Sequence, residues 1–159
     1  MKNSYHTRSL VSKVIDDPGM HPEDRPEAYK RLYTAEQAAL LEWIRLAVKP
    51  AKTAGPGTSY GIKHDFEKAG FYISNGRFKG AMLAAGYAPV DPTELNWRFR
   101  IRPTGKRRES KNGIVYHVDH LAPEDKEDLD ALVRVAEHVR LRRYEENHRG
   151  NPRPQDLNA

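Results

Sequence analysis

Trp97-Arg98-Phe99-Arg100-Ile101-Arg102 alternates without a fault. Successive side chains of an extended chain point to opposite faces, so three apolar groups fall on one side and three arginines on the other. That is the pattern of a half-buried strand with a cationic outer face. Ile114-Val115-Tyr116-His117-Val118 reads as a second strand, and the polar stretch between the two, residues 103–113, adds Lys106, Arg107, Arg108 and Lys111. Together they predict a β-hairpin with a long basic tip.

The charge is local. Residues 96–113 hold seven basic side chains against one acid, Glu109, a net +6 in a chain whose formal total is +5, so the other 141 residues sum to −1. Arginines on an edge strand do discourage aggregation. Seven cations in so short a stretch exceed that need, and a concentrated patch is what a polyanion site requires.

Working upstream, Ser74 predicts a helix cap, with Phe78, Ala81, Met82 and Ala85 at i, i+3, i+4 and i+7 and Gly86 as the stop. Thr58 or Ser59 caps an earlier helix whose inner face carries Ile62, Phe66 and Ala69 and which ends at Gly70. Phe71-Tyr72-Ile73 is the extended link between them. Before these, Thr34-Ala35-Glu36-Gln37 fits a capping box in which Thr34 and Gln37 satisfy the first amides, followed by Leu40, Leu41, Ile44, Ala47 and Val48 at helical spacing up to Pro50. Residues 1–33 are weakly patterned: an apolar turn at Leu10, Val11, Val14 and Ile15, a linker from Met20, and a short helix from Pro26.

Downstream, Pro123 opens a last helix with acids in its first turn, arginines near its end and an inner stripe of Leu129, Leu132, Val133, Ala136 and Val139. Beyond it the chain turns polar and reads as a disordered tail. The organisation expected is an N-terminal extension over 1–33, a folded unit over 34–120, a C-terminal helix over 121–147 and a tail over 148–159.

Three helices followed by a basic hairpin is the element order of a winged-helix domain, so the expected class is α+β, with a winged-helix-like helical domain, a basic β-hairpin and a long C-terminal helix. A helix fits the major groove of DNA and a hairpin tip reaches neighbouring phosphate. The helix after Ser74 is then the reader, with Asn75, Arg77 and Lys79 outward and Gly76 and Gly80 allowing close approach. The backbone grip falls to Arg98, Arg100, Arg102, Lys106, Arg107, Arg108 and Lys111. Double-stranded DNA is the expected partner. The aromatics Tyr60, Phe66, Phe71, Tyr72, Phe78, Trp97 and Phe99 are assigned to the core.

One constellation points to an enzyme. His117-Val118-Asp119-His120-Leu121-Ala122-Pro123 resembles the opening of an HNH nuclease, which would make His120 the base and Asp119 and His138 metal ligands. The central Asn of that motif is missing and the loop before the last helix is short. The expectation is therefore a protein that is not an enzyme and carries no cofactor.

Residues 58–67, 70–86 and 96–101, from Thr58-Ser59-Tyr60-Gly61-Ile62-Lys63-His64 through Phe71-Tyr72-Ile73-Ser74-Asn75-Gly76-Arg77-Phe78-Lys79-Gly80 to Asn96-Trp97, resemble small uncharacterised proteins of bacteriophages and mobile elements. The resemblance spans about residues 40 to 101. It implies a phage or mobile-element origin, where DNA-binding regulators are common, and equally admits a protein that binds and inhibits a host complex as an anti-defence factor. The last helix is also a candidate for pairing with a copy of itself as a homodimer.

The chain has no cysteine, which excludes disulfides and thiolate metal sites and suits a reducing bacterial cytoplasm. No apolar run approaches the roughly 20 residues of a membrane span, and the first residues do not read as a signal peptide.

Overall fold

The helix expected near Thr34 forms over Thr34–Ala47 (α1) in a computed structural model that describes residues 20–104, 109–110, 113–114 and 121–150. Its buried stripe, Ala39, Leu40, Trp43, Ile44 and Ala47, runs through the middle of the core. The Trp43 ring meets Phe66 and Phe78 edge-on, with centroids 5.7 and 6.5 Å away. The cap differs from the expected one by a residue. Tyr33 is the N-cap, and Glu36 rather than Gln37 reaches back, its Oε2 accepting from Tyr33 N at 2.8 Å. Gln37 is used elsewhere, donating to the carbonyls of Tyr29 and Leu32.

Ser59–Ala69 (α2) and Asn75–Ala84 (α3) start where their caps predict. Thr58 Oγ1 accepts from Gly61 N, and Ser74 Oγ accepts from Arg77 N. Gly86, just beyond α3, has φ +94°, a conformation that costs glycine little and other residues much. Phe71 and Ile73 of the link are buried and Tyr72 points out, the period-two pattern of extended chain.

The arginine-bearing strand alternates as expected, and among the described residues it pairs with a segment far upstream. Ile101–Pro103 (β2) runs antiparallel to Val48–Pro50 (β1), with Val48 opposite Pro103, Lys49 opposite Arg102 and Pro50 opposite Ile101. Pro50 does not simply stop α1. The chain leaves the helix already extended, and Val48, 1% exposed, holds it on the core beside β2. Isolated bridges continue the pairing at Thr58 with Arg98 and Pro89 with Phe99. The tip carries its own two-residue ladder, Glu109–Ser110 (β3) against Gly113–Ile114 (β4). Residues 115–118 of the expected second strand, the turn at 10–15 and the tail beyond 150 lie outside the described residues.

The last helix, Pro123–Asn147 (α4), lies on α1 through Leu129, Val133 and Ala136. Its placement is fixed at both ends by charge. Asp125 sits 3.7 Å from Arg45 of α1, and Arg140 sits 3.4 Å from Glu36, a carboxylate that is itself buried. On the far side of α3 two 3-10 turns, Pro22–Asp24 and Pro26–Arg31, press against it. The result is a mixed α+β fold of helices with small two-stranded antiparallel sheets. Among the described residues no helix is long and apolar enough to cross a membrane.

Candidate nucleic-acid interface

Trp97, Phe99 and Ile101 are buried while Arg98, Arg100 and Arg102 are exposed, so the strand separates its two chemistries as its sequence dictates. The β1–β2 register adds a cation from elsewhere. Lys49, exposed, stands directly across from Arg102, and side chains of directly paired residues share a face. Lys52 is exposed just past the point where Ala51 N donates to Arg100 O. Arg98 is 3.5 Å from Glu94. Lys49, Lys52, Arg100 and Arg102 form no ion pair with any described residue. Lys106, Arg107, Arg108 and Lys111, which follow in sequence, lie outside the described residues.

The third helix is placed differently from the expected reader. Asn75 and Lys79 are buried, at 6% and 0% exposure, and Arg77 is partly covered, with Glu23 3.4 Å from its Nε. The glycines explain the burial. A Cβ on Gly76 would fall 2.2 Å from the carbonyl of Arg25, and one on Gly80 would fall 2.2 Å from that of Pro26. The small residues do allow close backbone approach, but to the chain's own 3-10 turns. What those turns cover is the face a groove would have met.

The two buried polar side chains of α3, Asn75 and Lys79, each have structural partners. Ser59 Oγ donates to Asn75 Oδ1 at 2.8 Å and accepts from Trp97 N at 3.0 Å. Asn75 Nδ2 donates to Asn96 Oδ1 at 3.0 Å and to Leu95 O at 3.3 Å. Lys79 Nζ donates to Asp24 O at 3.0 Å and lies over the Trp97 ring. Burial pulls its ammonium down to about 8, against the smaller opposing pull of Asp24.

Two aromatics assigned to the core are on the surface. Tyr60 is 51% and Tyr72 67% exposed. The sequence holds the signal for both. Tyr60 lies about 200° around α2 from Ile62, away from the inner stripe, and Tyr72 is the outward residue of an alternating link. Between them sits Lys63, nearly buried, its Nζ 5.2 Å from each ring centroid and 2.8 Å from Glu67 Oε1.

His138 is exposed on α4, while Asp119 and His120 lie outside the described residues. Among the described residues no three His, Asp or Glu side chains gather as a metal site would need. Comparison with protein-family models, curated proteins and solved structures finds no match to this chain.

Proposed function

We propose that this protein binds nucleic acid by its phosphate backbone, in the manner of the DNA-binding regulators of phages and mobile elements. The observation that carries the proposal is the shared outer face of Arg98, Arg100, Arg102 and Lys49, of which Arg100, Arg102 and Lys49 have no ion-pair partner among the described residues. Arginine forks suit phosphate oxygens, and cations without an ion-pair partner need not break a salt bridge to reach them. Lys106, Arg107, Arg108 and Lys111 extend the same basic run in sequence. In this reading the order α2, link, α3, strand is winged-helix-like, and the strand and its tip make the contact in place of α3. Asn75 and Lys79 serve the interior.

Binding of labelled oligonucleotides, followed by anisotropy across a salt series, tests this. Four phosphate contacts on duplex DNA give a slope of log affinity against log salt of about −3.6. Arg100→Glu with Arg102→Glu is expected to remove most of the affinity for every sequence. No binding of the wild type at low salt overturns the reading. A stoichiometric host protein retained from nuclease-treated lysate, with no oligonucleotide binding, moves the protein to the class of host-complex inhibitors.

A further inference from the structure

A hollow of about 370 Å³ opens beside the start of the arginine row, lined by Tyr60, Lys63, His64 and Tyr72, by Asn75, Leu95 and Asn96, and on one side by the acids Glu23 and Asp24. Its volume is within the about 300–1,000 Å³ of small-ligand sites. Asn96 of its lining is two residues before Arg98, so the hollow and the cationic strand are continuous along the chain. We infer that this hollow receives an unstacked base of a single-stranded nucleic acid whose backbone follows the arginine row. The inference rests on the backbone-binding reading above and deepens it.

Among the described residues Tyr60 and Tyr72 keep 51% and 67% of their surface exposed, large aromatic faces for a folded chain to leave in water. Both nevertheless have close neighbours. The Lys63 ammonium lies over both rings, and His64 meets Tyr60 edge-on at 4.6 Å. Lys63 is in turn fixed by Glu67, whose other oxygen is 2.7 Å from His64 Nδ1 and which also accepts from Ile73 N. Tyr72 is anchored through its carbonyl, which accepts from Arg140. Each ring thus lies beside a cation, Tyr60 also beside His64, and both keep exposed surface on which a base can stack. A platform ordered before binding loses little entropy when a base stacks on it.

The asparagines of the lining fit the same ligand. Asn96 Oδ1 is occupied by Asn75, which leaves the Nδ2 donors for the edge of a base. Duplex DNA is a poor occupant, since its bases are stacked and the α3 face that could follow a groove is covered by the 3-10 turns. Single strands offer both unpaired bases and phosphates, and DNA and RNA share that chemistry.

The test uses the full chain and four labelled probes: a single-stranded DNA, the same sequence as RNA, the same DNA with abasic sites, and its duplex. The wild type is expected to prefer the single strands with bases over the abasic strand and the duplex. Tyr60→Ala and Tyr72→Ala are each expected to weaken single-strand binding by about 5- to 100-fold. Tyr60→Phe and Tyr72→Phe keep the ring and should keep the affinity. The salt slope should be unchanged in all four variants, because no phosphate contact is lost. Unchanged affinity in both alanine variants, or equal binding of abasic and base-containing strands, overturns the inference while leaving the backbone reading intact. Absence of binding to all four probes overturns both. Loss of a captured host protein in Tyr60→Ala, with oligonucleotide binding untouched, also overturns it and assigns the tyrosines to a protein contact.

Discussion

The ammonium of Lys79 donates to the main-chain carbonyl of Asp24 at 3.0 Å and ties the middle of α3 to a 3-10 turn 55 residues earlier. A charge in that position is fully buried, and its ordinary value of 10.5 falls to about 8. Below pH 8 the folded protein carries the desolvation cost. Between about 8 and 10.5 the unfolded chain binds more protons, so stability rises with pH across that window. Lys79→Met is expected to abolish that rise and to stabilise the fold at neutral pH by roughly 1–3 kcal/mol, since an apolar side chain of similar length often outperforms a buried charge. Urea unfolding of both proteins on either side of pH 8 measures this. A variant markedly less stable than wild type at pH 7 refutes it.

The same interface makes the glycines of α3 diagnostic. Alanine in a helix interior is normally worth about 1 kcal/mol over glycine. Gly61 in α2 should show that gain, because the nearest atom to an added Cβ is Thr58 Oγ1 at 3.8 Å. Gly80→Ala should show the reverse, a loss of roughly 1–3 kcal/mol, because its Cβ meets the main chain of Pro26 and the Cβ of Tyr29 at 2.2 and 2.3 Å. Limited proteolysis should then cut within residues 20–33. Equal effects at the two sites would mean the turns do not pack there.

These two residues also mark where the sequence stopped being legible. The helices were readable because caps and stops are local chemistry: Thr58, Ser74, Gly70 and Gly86 act within a turn of themselves. The alternation of Trp97, Phe99 and Ile101 with three arginines was readable for the same reason. The strand's partner was not, because Val48–Pro50 lies some 50 residues away and carries no period of its own. Lys79 and Asn75 looked outward because their type is usually solvated. One clue was available. Asn75–Ala84 is rich in glycine and alanine with only two charges, the composition of a helix covered on more than one side rather than of an amphipathic surface helix. The 3-10 turns that cover it have no hydrophobic period, so their docking could not be foreseen.

Ser59, Asn75 and the Trp97 amide form a buried chain of hydrogen bonds that joins α2, α3 and the arginine strand. Ser59→Ala leaves Trp97 N–H and Asn75 Oδ1 each short of a partner, and Asn75→Ala strands Ser59. Each is expected to cost about 1–3 kcal/mol. The double variant should cost less than the sum, with a coupling of about 0.5–3 kcal/mol, because the second change removes a group already orphaned. Additive losses in a denaturant double-mutant cycle would show that the three groups do not act together.

Arg140 joins the last helix to the body by three contacts at once. Its Nη1 donates to Tyr72 O at 3.0 Å, its Nε is 3.4 Å from the buried Glu36 carboxylate, and its guanidinium lies 4.9 Å over Phe71. Removing it leaves Glu36 without its counter-charge while that carboxylate still accepts from Tyr33 N at the start of α1. Arg140→Ala is therefore expected to cost about 1–3 kcal/mol and to raise hydrogen exchange in the second half of α4 more than in α2. Arg140→Lys should recover only part of the loss, since one ammonium cannot match a planar fork that spans a carbonyl and a carboxylate while stacking on a ring. Full recovery by lysine would reduce the contact to simple charge. Because Arg140 also holds the carbonyl of Tyr72, the alanine variant carries a second readout: the tyrosine platform loosens, and single-strand affinity is expected to fall while the salt slope, set by the arginine row, stays where it was.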